Sequence, residues 1–244
     1  MILGIDTATP ACSAALVEAG QVIAYAHSPE QSAASSLLVR LIDDLCARSG
    51  RAAVDVAGVA VNLGPGAFTG LRVGLATAQG LATAYQRPLM GCSTFEALVD
   101  AAADWDGLIC PVVEARRGEV YAALYRRQGC QVSETVPGMV VTPDTLCTLV
   151  QERTLFLGSG VQSCGELLVS RLGERAVCRD LGSDFALAAN VARLGCERSA
   201  TIAPDGGYRL TPIYIRPADA RLPRHKAARA ADRQEKGAAH AGRH

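Results

Sequence analysis

Five glycines, at positions 64, 66, 70, 74 and 80, fall within the twenty residues LGPGAFTGLRVGLATAQGLA (63–82). Glycines ahead of a helix can let backbone amides cradle a phosphate, so nucleotide binding is the first chemistry to test. A Walker A loop needs Gly-x4-Gly-Lys-Ser/Thr, because the Lys and the hydroxyl serve the phosphates and magnesium. No Lys is present here. A dinucleotide turn needs Gly-x-Gly-x-x-Gly and an acid about 20 residues later for the ribose. Here Gly70 comes one residue late, and the next acid is Glu96. A structural reading accounts for more of the residues. Gly64-Pro65-Gly66 makes a sharp exit from a buried strand, and Thr69 is placed to cap the helix that follows. Leu71, Leu75, Ala78 and Ala82 form its apolar stripe. Gly70 and Gly74 form a second, flat stripe, with Ala76 and Gly80 as a further small pair. An interior glycine costs roughly 1 kcal/mol relative to alanine, and close approach of a neighbour is the usual return. That neighbour is either an element of the same chain or a partner helix.

Metal and thiol chemistry come next. Nine cysteines stand at positions 12, 46, 92, 110, 130, 147, 164, 178 and 196, no two closer than fourteen residues. There is no C-x-x-C pair, and His27 is the only histidine before residue 225. That spacing argues against zinc and against a disulfide framework. Most of the cysteines lie in apolar runs such as LICPVV, where Cys acts as a small hydrophobe, so free thiols in a reducing compartment are expected.

The chain of 244 residues has no net formal charge, but the charges are unevenly placed. Residues 219–244 carry seven Lys/Arg against three acids, leaving 17 basic and 21 acidic side chains in residues 1–218. A duplex-binding face would be basic, so direct nucleic-acid binding by the body is disfavoured. The opening MILGIDTATP has no basic n-region and meets Asp6 before an apolar core could develop. No uncharged run approaches the roughly 20 apolar residues of a membrane span. A cytoplasmic protein is expected.

The elements that must position these residues follow from periodicity. MILGID reads as a short strand ending in an acid, and CSAALVEAGQVIAYAHS as two strands about Ala19-Gly20. SAASSLLVRLIDDLCARSG is helical, with Leu38, Leu41, Ile42 and Leu45 on one face and Gly50 as a stop. VAGVAVNL is a doubly buried strand feeding the glycine stretch, and PLMGCS and TFEALVDAAADW add a strand and a helix. A mixed sheet covered by helices is implied. GLICPVVEARRGEVYAALYRR then repeats the opening theme, with Glu114 in the place of Asp6 and a turn at Arg117-Gly118. This duplication, about 108 residues apart, predicts two related α/β subdomains, 1–104 and 105–218. The second copy reads as poorer: a helix in TPDTLCTLVQER, a strand TLFLGSG, a helix QSCGELLVSRL and another around 185–198. Residues 219–244 lack an apolar period and read as a disordered basic tail, protease-sensitive and dispensable for folding.

ILGIDTATPACSAAL, GPGAFTGLRVGLATAQGLA, GCSTFEAL and EARRGEVYAALY resemble the TsaB family of tRNA threonylcarbamoyladenosine biosynthesis proteins. The likeness runs from residue 1 to about 216, is dense to Tyr125 and thins afterwards. It implies an α/β chain of the actin-like/sugar-kinase (ASKHA) fold, with two related subdomains of mixed sheets flanked by helices. It also implies a non-catalytic subunit that binds and activates a TsaD-type transferase in N6-threonylcarbamoylation of the adenosine beside the anticodon. A TsaE-type ATPase is implied in the same complex, as are a homodimer and an indirect relation to tRNA. In the family the glycine-rich helix belongs to the dimerisation surface. Carried onto this chain, that surface comprises Gly64, Pro65, Gly66, Phe68, Thr69, Gly70, Arg72, Val73, Gly74 and Thr77. The face of Gly70 and Gly74 is expected to receive the partner, while Leu71 and Leu75 pack inward. Arg72 is the only charge between Asp55 and Arg87.

Asp6-Thr7-Ala8-Thr9 sits where actin-like proteins place their first phosphate hairpin, and LGSG (157–160) resembles their adenine-side glycine pair. A nucleotide site would therefore use Asp6, Thr7, Thr9, Gly158 and Gly160. The competing reading is inherited scaffold, and it is favoured by the bulk of the second phosphate turn, EARRGEV. No cofactor is expected for the isolated chain, with ATP or ADP only within a complex. The chain departs from the family pattern at Gln31, Ala67, Glu114 and Thr211, which weakens any pocket at those positions. A free-standing actin-fold kinase or ATPase is the alternative. A glycoprotein endopeptidase, an older reading of this superfamily, would need a metal-holding His pair, which residues 1–218 lack.

Overall fold

The computed structural model describes residues 1–28, 34–182, 185–199 and 210–216, and the side chains of 34–36 are not described. Gln31 and the tail from 219 onward lie outside the described residues.

Strands β1 (Ile2–Asp6), β2 (Cys12–Glu18) and β3 (Gln21–Ser28) are followed by helix α1 (Ala34–Ser49). Then come β4 (Gly58–Asn62), α2 (Phe68–Tyr85), β5 (Leu89–Cys92) and α3 (Thr94–Asp100). The five strands form one sheet in the order β3-β2-β1-β4-β5. β1 pairs antiparallel with β2 and parallel with β4, so a hairpin and two helical crossovers share one sheet. The second half repeats this plan in full. Its elements are β6 (Gly107–Glu114), β7 (Val120–Gln128), β8 (Gln131–Val141), α4 (Pro143–Leu149), β9 (Thr154–Leu157), α5 (Val161–Leu172) and β10 (Ala176–Arg179). They give the order β10-β9-β6-β7-β8, with β6 antiparallel to β7 and parallel to β9. This duplicated pair of mixed sheets is the actin-like/sugar-kinase architecture.

The second copy is therefore complete, where the sequence reads as poorer. β8 was hidden by Pro137 and Gly138 in its middle, which break alternation. Proline is tolerated there because β8 is an edge strand and one side of its ladder is free. β10 has four residues, too few to show a period.

Five layers result. α1 and α2 cover one face of the first sheet, where Leu38, Ile42, Leu45, Leu75 and Ala78 meet Leu3, Ile5 and Val61. α4 and α5 cover the far face of the second sheet through Leu146 and Leu168. Between the sheets lie α3 and a last helix, α6 (Ala188–Ser199). The sequence places this helix in the second subdomain, 105–218, yet it packs along β1, β2, β4 and β5 of the first sheet. Small residues permit that seating. A β-carbon on Gly4 would come under 3.0 Å from the Ala188 carbonyl, and one on Gly195 would meet Ala60. Arg193 Nη1 and Asn190 Nδ2 both donate to Asp100 Oδ2, at 2.9 and 2.8 Å, tying α6 to α3. Residues 210–216 return to the first sheet as a strap, with the Ile213 amide donating to the Leu63 carbonyl at 2.7 Å.

Among the described residues no helix is long and apolar enough to cross a membrane. Five of the nine free cysteines (Cys12, Cys46, Cys92, Cys110 and Cys164) are buried and Cys130 is exposed. Burial pushes the thiols of Cys12 and Cys164 up to about 11, so they are neutral at pH 7 and poor nucleophiles.

Candidate protein interface

The turn between β4 and α2 contains a cis Gly64-Pro65 bond and is held by side chains from three elements. Asn62, at the end of β4, accepts from the Gly64 amide at 2.9 Å and donates through Nδ2 to Asp6 Oδ1 at 2.8 Å. Thr94, at the start of α3, has its hydroxyl 2.9 Å from Asn62 Oδ1 and 2.6 Å from the Pro65 carbonyl. Asp6 is fully buried. Its Oδ1 also accepts from the Ala8 amide at 2.9 Å, and its Oδ2 accepts from the Thr9 hydroxyl. Burial raises the Asp6 pKa, and these hydrogen bonds oppose the rise. All three polar groups of this knot are spent on the chain itself.

The glycines complete the closure. A β-carbon on Gly66 would strike the Ala8 carbonyl, one on Gly70 the Thr7 carbonyl, and one on Gly74 the Thr7 hydroxyl, each under 3.0 Å. The Thr7 hydroxyl donates to the Gly70 carbonyl at 2.7 Å. The Ala67 amide, at the head of α2, donates to the Ala8 carbonyl at 2.9 Å, where a phosphate would otherwise find its donor. The flat stripe thus receives the β1–β2 turn of the same chain. Gly70 and Gly74 are buried and are not surface for a partner, contrary to the sequence expectation. Gly64 and Pro65 are buried too. The N-cap is Ala67, one residue before Phe68, and not Thr69.

What α2 exposes is a different line. Phe68, Thr69, Arg72, Ala76 and Gly80 face solvent, with Val73 and Thr77 half-buried beside them. A β-carbon on Gly80 would meet nothing within 4 Å. Of the expected surface, then, Phe68, Thr69, Arg72, Val73 and Thr77 are available. Ala76 and Gly80 were visible in the sequence as a small pair four apart. Tyr214 had no such signal, yet its ring lies 5.3 Å from that of Phe68.

Gly158 and Gly160 serve another turn. A β-carbon on either would come under 3.0 Å from Val112, and the Gly160 amide donates to the Val112 carbonyl at 3.0 Å. Gly158 also has φ +110°, a region that side chains rarely adopt. Glu114, the counterpart of Asp6, is exposed at the end of β6. Among the described residues, no three His, Cys, Asp or Glu side chains converge as a metal site would require.

The family model for TsaD, tRNA N6-adenosine threonylcarbamoyltransferase, matches residues 28–191. A protein of Escherichia coli (strain K12), tRNA threonylcarbamoyladenosine biosynthesis protein TsaB, is 38% identical over 128 residues, which cover 52% of this chain and 55% of that protein. The protein of the same name from Bacillus subtilis (strain 168) is 28% identical over 222 residues, 90% of this chain and 95% of the relative. Among solved structures, an uncharacterized Pseudomonas aeruginosa protein with similarity to peptidase YEAZ superposes with a TM-score of 0.71 and 26% identity. That match covers 88% of this chain and 99% of the other.

Proposed function

The chain belongs to the tRNA N6-adenosine threonylcarbamoyltransferase (TsaD) family and, within it, to the TsaB proteins, and from that membership we propose that it is a partner-binding subunit of tRNA threonylcarbamoyladenosine biosynthesis. In this reading it performs no chemistry itself. It docks a TsaD-type catalytic subunit in the cytoplasm and supports threonylcarbamoyl transfer to the adenosine beside the anticodon. A TsaE-type ATPase joins the same assembly, a homodimer forms when the catalytic subunit is absent, and tRNA is met only through the complex. Nucleotide, where it binds, is held within the complex and not by this chain alone.

The observation that carries the reading is the division of α2 into two faces. One face is consumed by Thr7 and Ala8, which closes the glycine turn to an anion. The other is open, small from Ala76 to Gly80 and uncharged apart from Arg72, which suits close approach of a second helix.

The experiment is a Gly80→Leu variant assayed for folding, partner binding and tRNA modification together. Leucine has open space there and improves helix propensity, so circular dichroism and melting should match the parent. Pull-down of the transferase subunit and reconstituted modification should both fall at least tenfold. Normal binding by a folded Gly80→Leu protein would place the interface elsewhere. Steady ATP turnover by the isolated chain, lost in Asp6→Ala, would replace the reading with a kinase or ATPase.

A further inference from the structure

Arg72 stands alone as a charge on α2 and is exposed, yet its side chain is held by two contacts. Its guanidinium carbon sits 3.9 Å over the centroid of the Phe68 ring. Its Nε donates to the Tyr214 hydroxyl at 3.2 Å. The Phe68 and Tyr214 rings meet at 5.3 Å with planes tilted by 35°. Tyr214 in turn comes from the strap, which is pinned by the Ile213 amide on Leu63 and by an ion pair between Arg216 and Glu119. Phe68 and Tyr214 are 36% and 42% exposed, so two large rings flank the cation at the surface. Among the described residues the guanidinium hydrogen-bonds through Nε alone, and the side chain is exposed.

We propose that Arg72, oriented by Phe68 and Tyr214, is a preformed receptor for a carboxylate that the transferase subunit presents as an Asp or Glu side chain. This rests on the reading of α2 as the docking face. Charge complementarity selects the occupant: on an outer face with no other charge, one fixed planar cation is met by one anion. A guanidinium offers two parallel N–H donors that match a carboxylate. Stacking and the Tyr214 bond remove rotamer freedom before the partner arrives, which lowers the entropic cost of docking. Arg and Tyr ringed by apolar surface are also the residue types that dominate interface energetics. The strap thereby becomes part of the interface, although its sequence is remote from α2.

The test measures affinity for the purified transferase subunit of the same genome, at low and high salt, with circular dichroism on every variant. Arg72→Ala and Arg72→Gln should each bind at least tenfold more weakly and lose most of the salt dependence. Arg72→Lys should recover little, since a lysine has no planar fork. Tyr214→Phe keeps the ring and removes the acceptor, and should fall between. Parental binding and salt dependence in both Arg72 variants would overturn the proposal. If Gly80→Leu abolishes binding in that case, the docking face survives and only the receptor fails. If Gly80→Leu also binds normally, both readings fail. Loss of self-association with unchanged transferase binding would likewise overturn it, because the occupant would be a second copy.

Discussion

The Thr7 hydroxyl donates to the Gly70 carbonyl at 2.7 Å, while the Thr7 carbonyl lies under 3.0 Å from where a β-carbon on Gly70 would stand. The β1–β2 turn is thus pressed into the backbone of α2. Alanine for glycine in a helix ordinarily gains roughly 1 kcal/mol. Gly70→Ala should do the reverse, because the obstacle is backbone that cannot rotate away. A loss of about 1–3 kcal/mol is expected from overpacking, read as a lower urea midpoint at unchanged slope.

Gly74 meets a side chain, not backbone, since its nearest neighbour is the Thr7 hydroxyl oxygen. Gly74→Ala should therefore destabilise the parent but be rescued by Thr7→Ala, which removes that oxygen. A double-mutant cycle should show a favourable coupling of about 0.5–3 kcal/mol. Gly70→Ala should show no such rescue. Equal behaviour of the two glycines in the Thr7→Ala background would contradict the geometry.

Asp6 gives the fold a pH dependence of definite sign. Its folded pKa is raised, first by burial, above the ordinary carboxylate value of 3.8. Its stabilising contribution is thus complete below the unfolded pKa and is lost as pH rises through the folded one. Asp6→Asn removes that titration while keeping an acceptor for Ala8 and Asn62. The stability of the parent relative to Asp6→Asn should fall as pH rises above about 4. Chemical denaturation at several pH values checks this, and a relative stability that rises with pH would refute it.

Asn62 joins β1, β4 and the turn into α2, so Asn62→Ala should be severe for its size. It leaves the Gly64 amide without its acceptor and takes one of two donors from Asp6 Oδ1, which keeps the Ala8 amide. Each buried group left unpaired costs about 1–3 kcal/mol. Thermal unfolding should show a drop several times that of Thr142→Ala, which loses only an exposed cap on α4.

The strap offers a fifth check. A chain ending at residue 209 loses the Ile213–Leu63 hydrogen bond, the Arg216–Glu119 pair and the Tyr214 ring. It should melt below a chain ending at residue 217, which keeps them. Equal melting temperatures would mean the strap contributes no stability.

Alternation and helical spacing determined most elements before any contact was known, because each element must bury one face. Leu71, Leu75, Ala78 and Ala82 were assigned inward from spacing alone, and all four are buried. The duplicated strand–acid–turn–strand unit likewise showed two sheets of one plan. Local pattern could not say which neighbour the glycine stripe accepts. A missing β-carbon admits a partner helix and a turn of the same chain equally well. Only the fold brings Thr7 to Gly70, across 63 residues of sequence. For the same reason tertiary structure alone decided that α6 covers the first sheet, and that Tyr214 completes a surface begun by Phe68 and Arg72. Those contacts depend on where distant segments meet, and no period within a segment records that.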